Sequence, residues 1–233
     1  TIKSGTKNAK VYVSDMRREM NSPHEVELLF KDRKGNVLRP NEYTKLQFSH
    51  NGRRLIAGVA PVIAPDDTTV YDFETGKLDI WRWDAPMTPP QEKHYLDDIK
   101  KASLPVAVNL DNWKQVLISD NILEEVHGGD RWDSDWALVI DPTETMVQEQ
   151  WDYFTPTKML VIDVNTGERK EIGMFMRDQA PVLSPEGKYV AWFNNRTWYV
   201  YDIATGTTAD VGANVPAELW NTLDEHPSPS MAW

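Results

Sequence analysis

The sequence predicts an all-β fold, and three observations lead to that prediction. Two short signatures, each typical of a tight turn between strands, recur along the chain. Runs rich in large apolar residues flank these turns, and the 233 residues include ten Trp and eight Tyr. Helical periodicity is weak, since only residues 91–101 and 216–223 favour short helices.

The first signature is an apolar residue followed by Ser-x-x-Gly, a basic residue, any residue and a further apolar residue. It occurs at residues 48–55 and again at residues 183–190. Gly52 and Gly187 lie where a tight hairpin turn needs a residue with positive φ. We therefore expect two antiparallel strands around each copy.

The second signature is an aromatic or apolar residue followed by Asp-x-x-Thr-Gly. It occurs at residues 71–76, 162–167 and 201–206, and residues 106–112 form a degenerate copy without the glycine. The Asp side chain can accept hydrogen bonds from backbone N–H groups of a turn, and the glycine supplies the strained corner. Each copy therefore predicts a turn between two strands.

The spacing of the copies predicts the architecture. A four-stranded blade of a β-propeller occupies roughly 40–50 residues. About 39 residues separate Asp163 from Asp202, which fits one blade, and about 135 separate Ser49 from Ser184, which fits three. We therefore predict a partial β-propeller of about four blades of four-stranded antiparallel sheets, as a fragment of a larger ring.

The blade boundaries follow from the same signatures. We expect the whole chain, residues 1–233, to be one partial propeller. Residues 1–40 would supply the outer strands of a preceding blade, and residues 214–233 would start the next one. Between them we expect three blades, at 41–118 with an insertion, at 119–176 and at 177–213. The last of these is the clearest, with strands expected at 181–183, 189–193, 198–201 and 207–211.

Two stretches carry a resemblance to a known family. Residues 46–69, followed by Phe73-Glu74 and 77–81, resemble the N-terminal propeller of prolyl-oligopeptidase-type serine peptidases, specifically the bacterial members similar to dipeptidyl peptidase IV. Residues 184–188 and 198–202 resemble the generic blade that these enzymes share with the Tol-system periplasmic propeller.

The resemblance implies a function without catalysis by this chain. In that family the catalytic Ser, Asp and His belong to a C-terminal α/β-hydrolase domain, which this chain lacks, and the propeller gates or orients the peptide substrate. The implied partners are the remainder of the propeller, the hydrolase domain and the peptide substrate of the parent protein. The implied location of the parent protein is periplasmic or secreted.

Net charge and composition limit the further classes of partner that the chain is expected to bind. The net charge of −11 disfavours binding to the phosphate backbone of nucleic acids. No apolar run is long enough to span a bilayer, so we expect no membrane partner. The chain has no cysteine, which excludes structural disulfides. An incomplete ring would expose the faces of its terminal blades, so we expect self-association or an open, partly disordered end.

The sequence predicts no catalytic residue, no cofactor and no metal site. Ser49 and Ser184 lie in blade turns and lack the frame of a nucleophile elbow, so a structural role is favoured. The histidines share no spacing typical of zinc ligands. They are His24, His50, His94, His127 and His226.

Three groups of residues have competing interpretations. Glu124-Glu125 is similar to the glutamate pair with which dipeptidyl peptidase IV holds the substrate's amino terminus, but the surrounding motif differs. Adjacent strand residues also point to opposite faces, which favours a solvated or blade-interface role. For the second group, a turn is favoured over a calcium site. Its residues are Asp130, Asp133 and Asp135.

For the third group, packing between blades is favoured over a platform for a ligand. Its residues are Trp81, Trp83, Trp192 and Trp198.

Three functions remain open from the sequence. The leading hypothesis is a non-catalytic propeller segment of a prolyl-oligopeptidase-family peptidase. The alternative is a stand-alone propeller that binds a protein partner, resembling the Tol-system periplasmic propeller. A third hypothesis, an enzyme acting in the propeller channel, needs paired carboxylates at a defined separation, and the sequence does not place such a pair.

Overall fold

The structure is a computed structural model that describes residues 5–15, 22–65, 69, 76, 78–119, 121–152, 155–176 and 180–222. Several sequence predictions lie outside the described residues. They concern residues 71–75 of the second signature, residues 66–68, 73–74 and 77 of the family resemblance, His226, and residues 223–233 of the blade start expected at 214–233.

Sixteen strands, one α-helix and two short 3₁₀-helices, Gly129–Trp132 and Gln148–Gln150, make up the regular structure of the described residues. The first eight strands are β1 (Val11–Val13), β2 (His24–Val26), β3 (Phe30–Lys31), β4 (Val37–Arg39), β5 (Leu46–Phe48), β6 (Arg54–Pro61), β7 (Leu104–Asn109) and β8 (Gln115–Leu117), with helix α1 (Pro89–Lys101) between β6 and β7. The others are β9 (Glu125–Gly128), β10 (Trp136–Asp141), β11 (Pro156–Asp163), β12 (Arg169–Met176), β13 (Val182–Leu183), β14 (Tyr189–Asn194), β15 (Thr197–Asp202) and β16 (Thr207–Asp210).

Two compact units divide the chain. The first unit consists of Thr1–Gln47 and Leu55–Ile122, and the second of Phe48–Arg54 and Leu123–Trp233. The turn at residues 48–54, which carries the first copy of the Ser-x-x-Gly signature, therefore belongs to the second unit although most of β6 belongs to the first.

The first unit is built around a six-stranded sheet. Its strand order is β3-β4-β6-β7-β8, with β5 paired to β6, and β1 and β2 form a separate antiparallel pair. Strand β6 is almost entirely buried because both of its faces are covered. Its apolar residues form the core together with residues from the neighbouring strands: Val11, Val26, Leu28, Leu38, Leu55, Ala57, Val59, Leu104, Val106 and Val108.

The second unit contains two four-stranded antiparallel sheets with the order β9-β10-β11-β12 and β13-β14-β15-β16. Each sheet is a meander, in which strands adjacent in sequence are adjacent in space. One core joins the two sheets, as in successive propeller blades. It consists of Leu138, Ile140, Met159, Val161, Phe175, Leu183, Val190, Trp192, Tyr201 and Ile203. The predicted all-β, propeller-type fold is confirmed.

The four strands predicted between residues 181 and 211 are all present, as β13 to β16. The sequence predicts the turn between β14 and β15 at Asn194-Asn195, and in the structure it lies one residue later. Its two central residues are Asn195 and Arg196, with φ values of 49° and 67°. Positive φ at both central positions is typical of a type I′ hairpin turn, whose twist matches that of the flanking strands.

The amino-terminal strands join the next segment in one sheet. Leu38 of β4 pairs with Pro61 of β6, and Arg39 pairs with Ala60. The sheet therefore continues across residue 40, where the sequence suggested a boundary between blades, because β4 offers β6 a free edge for backbone hydrogen bonds. The division of the chain into blades stays a prediction.

The helix in the insertion is longer than predicted, and it is not buried. It begins at Pro89 rather than at residue 91, and the Gln91 side chain accepts a hydrogen bond from the backbone N–H of Thr88 at 2.8 Å. No residue of α1 is buried, and on the side predicted to be apolar Tyr95 and Leu96 are exposed while Ile99 is half-buried. The helix expected at 216–223 is absent from the described residues 216–222, where so short a segment does not offset the cost of nucleation.

The turn aspartates of the second signature have equivalent roles in two copies. Asp163 accepts hydrogen bonds from the backbone N–H groups of Asn165 and Thr166. Asp202 accepts the equivalent pair from Ala204 and Thr205. The repeated aspartate is therefore fixed in its turn.

The degenerate copy at 106–112 follows the same plan with different residues. Asn109 accepts hydrogen bonds from the backbone N–H groups of Asp111 and Asn112, as the aspartates do. Trp113 takes the place of the glycine, with a φ of 59° and its N–H bonded to the Asn109 carbonyl at 2.8 Å. Its ring lies 3.9 Å from that of His24, and this contact helps to hold a side chain in a backbone region that normally favours glycine.

Alanine substitutions at the two glycines of the first signature are expected to lower stability by different amounts. Gly52 and Gly187 have φ values of 69° and 65°, so alanine is strained at both positions. An added Cβ at Gly52 meets nothing within 4 Å, whereas at Gly187 it overlaps the side chain of Ser134. We expect Gly52→Ala to cost about 1 kcal/mol and Gly187→Ala about 2 kcal/mol. Urea unfolding of both variants measures the difference, and equal losses would contradict the predicted overlap.

Candidate functional site

The serines of the repeated signature are bonded within their turns. The Ser49 hydroxyl oxygen accepts a hydrogen bond from the backbone N–H of Arg54 at 2.9 Å. The Ser184 hydroxyl accepts bonds from the backbone N–H groups of Lys188 and Tyr189, both at 3.0 Å. These contacts fit the structural role expected for both serines.

The two adjacent glutamates have opposite environments. The Glu124 side chain is fully buried, and its carboxylate accepts two hydrogen bonds from the Arg169 guanidinium, Oε1 from Nη1 at 2.9 Å and Oε2 from Nη2 at 3.3 Å. The Glu125 side chain is 59% exposed. The pair therefore does not present two carboxylates on one surface. Glu125 is solvated, as the interpretation favoured by the sequence allows, whereas Glu124 is bonded to an arginine of the same sheet.

The four tryptophans singled out from the sequence separate into two pairs. Trp192 is buried in the core of the second unit, and Trp198 packs edge to face against Phe193. Trp81 and Trp83 are 66% and 90% exposed, so the expectation that they fill the space between blades is wrong. They lie in the insertion between β6 and β7, whose described residues contain no strand.

The exposed tryptophans lie in the same insertion as other exposed apolar residues, and we call this set of residues the insertion surface. It consists of Leu78, Ile80, Trp81, Trp83, Tyr95 and Leu96, all of them exposed. Part of it lines a cavity of about 380 Å³ together with Asp79, Pro89, Glu92 and Lys93. This surface combines aliphatic and aromatic side chains with a rim of charged ones.

A buried arginine organises the loop before β10. The Arg54 side chain is 10% exposed. Its Nη1 donates hydrogen bonds to the carbonyl oxygens of Trp132, Asp133 and Ser134 at 3.2, 3.0 and 2.9 Å. Its Nη2 bonds to Asp135 and to the Asn165 side-chain oxygen. Arg54 therefore joins the turn at 48–54 to two other loops of the second unit.

The same contacts change the acidity of Asp135. A hydrogen bond from the Asn165 amide at 3.0 Å, together with the charge of Arg54, lowers the pKa of Asp135 below its usual range. Asp135 therefore acts here as the ionic partner of Arg54.

The lowered pKa of Asp135 predicts a pH-dependent contribution to stability. Ionised Asp135 stabilises the fold above the unfolded-state pKa of about 3.9, and the contribution is lost as the pH falls through the lower folded-state value. Because 66% of the side chain is exposed, we expect less than about 1 kcal/mol. Asp135→Asn should lower stability at pH 7 and flatten its dependence on pH below about 4. Urea unfolding from pH 2 to 7 measures the free energy of unfolding and its dependence on pH, with Asp98→Asn as the control. A variant whose stability depends on pH below about 4 as that of the unsubstituted chain does would contradict the prediction.

The other two aspartates of the group lie beside a histidine. His50 Nδ1 is 3.4 Å from Asp133 Oδ2, and one ligand atom from each of His50, Asp130 and Asp133 lies within 4.8 Å of the others. His50 and Asp130 are exposed and Asp133 is partly buried. The arrangement differs from the calcium alternative of the sequence, since His50 takes part and Asp135 does not.

Sequence reasoning missed His50 because its neighbours in this cluster are distant in sequence. His50 lies in the first Ser-x-x-Gly turn, and Asp130 and Asp133 follow β9. The remaining described histidines lie elsewhere: His24 stacks on Trp113, His94 contacts Tyr95 on α1, and His127 is close to Glu125 on β9. No local motif signals the contact between the two loops.

Comparison with known proteins gives structural likeness only. No protein family matches the chain. No curated protein sequence matches it either. In the described part of the chain, no helix combines the length and the apolar character needed to cross a membrane.

Three solved structures show the extent of the likeness. TolB from Acinetobacter baumannii is 8% identical with a TM-score of 0.33, and the match covers 85% of this chain and 50% of that protein. A protein described as a 6-phosphogluconolactonase from Bacteroides uniformis is 12% identical with a TM-score of 0.30, covering 87% and 46%. The tricorn protease is 10% identical with a TM-score of 0.25, covering 94% and 24%. The chain thus spans half or less of each of these proteins.

Proposed function

We propose that the chain is a non-catalytic β-propeller segment that binds a polypeptide through the insertion surface. The observation that carries the proposal is the exposure of Leu78, Ile80, Trp81 and Trp83, between 66% and 90% for each side chain. Large apolar side chains that are exposed together within one short segment favour an interaction site, because exposing them to water is unfavourable.

The chemistry of the surface suits a protein partner. Trp and Tyr are enriched among the residues that dominate protein–protein binding energies, and here they stand beside aliphatic side chains. Charged residues such as Asp79, Arg82 and Asp84 lie at the rim, and Arg82 pairs with Asp84 at 2.6 Å. An apolar centre with a polar rim is typical of such interfaces.

The leading form of this proposal is the propeller segment of a prolyl-oligopeptidase-family serine peptidase. The stretch that resembles that family includes Leu78, Asp79, Ile80 and Trp81, and their exposure shows that core packing does not explain this sequence. The partner would then be the α/β-hydrolase domain of the same polypeptide, with the propeller gating or orienting the peptide substrate. A periplasmic or secreted location belongs to this proposal.

The alternative form is a stand-alone propeller that binds a separate protein. The sheets of the second unit are compatible with this form as well, because their repeated serines and aspartates stabilise turns and these roles do not require a hydrolase domain. Under this form the insertion surface would contact another polypeptide chain, and no peptidase activity would accompany the protein.

Site-specific photo-crosslinking in the full-length gene product tests both forms. Trp83→p-benzoylphenylalanine places the probe in the insertion surface, and Trp151→p-benzoylphenylalanine is the matched control, since Trp151 is 71% exposed in the second unit. We expect the probe at position 83, and not at 151, to crosslink to a hydrolase domain.

The other outcomes discriminate as follows. Crosslinks from position 83 to a separate protein would reject the peptidase form and support the stand-alone form. Equal crosslinking from both positions, or none from position 83, would overturn the proposal that the insertion surface binds a polypeptide. Mass spectrometry of the crosslinked peptides assigns the contact.

A further inference from the structure

We propose that His50, Asp130 and Asp133 form a binding site for a divalent transition-metal ion of the zinc class. The site lies within the second unit, where the turn at 48–54 meets the loop that follows β9. It shares no residue with the insertion surface, and it does not rest on the proposed function.

The distances in the cluster fit coordination of one ion. Zinc bonds to imidazole nitrogen and carboxylate oxygen are about 2.0–2.2 Å long, so two ligand atoms of a tetrahedral site lie roughly 3.3–3.5 Å apart. His50 Nδ1 and Asp133 Oδ2 are separated by 3.4 Å. The third ligand atom, from Asp130, lies within 4.8 Å of the others, and coordination of the same ion requires this exposed side chain to move closer to them.

The donor set selects the class of ion. One imidazole nitrogen and two carboxylate oxygens suit zinc and similar transition metals, and two ionised carboxylates balance the charge of a divalent cation. Calcium favours six to eight oxygen ligands, which this cluster does not supply. The remaining coordination positions of the ion would be open to water or to a ligand.

The positive charges near the site have other partners. The Arg54 guanidinium is directed at three carbonyl groups and at Asp135. Arg131 Nε lies 3.9 Å from Asp130 Oδ1, and the Arg131 side chain is 65% exposed. An exposed pair at this distance contributes little, so the ion replaces it without a large loss.

The backbone around the site is already held in position. The N–H of His50 donates to the Arg131 carbonyl at 3.2 Å, and the N–H of Asn51 donates to Asp133 Oδ1 at 2.8 Å. The latter contact leaves Asp133 Oδ2 directed toward His50. Such prior order lowers the entropic cost of binding an ion.

Isothermal titration of the purified chain with zinc chloride tests the proposal. We expect one zinc ion per chain, with calcium chloride binding at least tenfold more weakly. His50→Ala and Asp130→Asn should each weaken zinc binding at least tenfold. His127→Ala is the matched control, since His127 is also about half exposed and also lies near a carboxylate, and its zinc affinity should be unchanged.

A second measurement distinguishes the loss of a zinc ligand from a loss of folded structure in the variants. Zinc should raise the unfolding temperature of the unsubstituted chain and of His127→Ala, and leave that of His50→Ala unchanged. His50 contributes its backbone N–H to the fold and its side chain is 55% exposed, so His50→Ala retains the backbone contact. Zinc binding that survives both substitutions, the absence of zinc binding, or calcium bound as tightly as zinc would each overturn the proposal.

Discussion

Replacing Arg54 with methionine is expected to destabilise the second unit by about 3 kcal/mol, since hydrogen bonds to charged groups contribute about 1.5–3 kcal/mol each and do not add fully. The substitution keeps most of the aliphatic volume of the side chain but removes the guanidinium. The carbonyl groups of Trp132, Asp133 and Ser134 would lose the donor that they share. Amide hydrogen exchange of strand β10, which follows this loop, measures the change in local stability.

The matched control is the adjacent arginine. Arg53 is exposed, and Arg53→Met should change stability by less than about 0.5 kcal/mol. Arg54→Lys should recover only part of the loss, because an ammonium group cannot reproduce the planar fork that reaches three carbonyls and Asp135. If the β10 amides exchange at the same rate in Arg54→Met as in Arg53→Met, Arg54 does not hold the loop.

Replacing Glu124 with alanine is expected to cost about 2–3 kcal/mol, because it removes a fully buried carboxylate and the two hydrogen bonds that this carboxylate accepts from the Arg169 guanidinium. The Glu124 side chain is fully buried, and the Arg169 side chain is 27% exposed. The pair joins the residue before β9 to the first residue of β12, the two edge strands of one sheet. The loss should therefore appear across all four strands, as faster amide exchange in β9 to β12.

Two further variants separate this interpretation from a simple change in charge. Glu125→Ala removes the neighbouring carboxylate, which is 59% exposed, and should cost less than about 1 kcal/mol. The double variant Glu124→Leu with Arg169→Met should recover part of the loss, since apolar residues of similar volume often replace a buried ion pair at little cost. A double variant as unstable as Glu124→Ala would show that the pair contributes through other contacts.

The strands and turns were predictable because their signals are local. In the Asp-x-x-Thr-Gly copies, the aspartate bonds to N–H groups two and three residues later, so the sequence itself contains both partners. Gly187 likewise adopts the positive φ that its turn requires. These contacts span only a few positions, and the strand boundaries between residues 181 and 211 follow from them.

The candidate site could not be predicted in the same way. His50 and Asp133 are separated by most of the first unit along the chain, and their proximity results from how the turn at 48–54 joins the second unit. Trp113 shows a related limit, since a tryptophan at the glycine position gives no local sign of a positive φ. Trp81 and Trp83 were expected to be buried because their type favours it, but burial depends on which elements cover them.

The sequence by itself therefore determined the all-β class, the repeated turns and the strands of the clearest blade. Only the tertiary structure decided the contacts of Arg54, Glu124 and His50 and the exposure of the insertion surface. The physical reason is the range of the interactions. Turn geometry is set by hydrogen bonds between near neighbours in the chain, whereas ion pairs, clusters and burial depend on the packing of segments that the sequence does not place side by side.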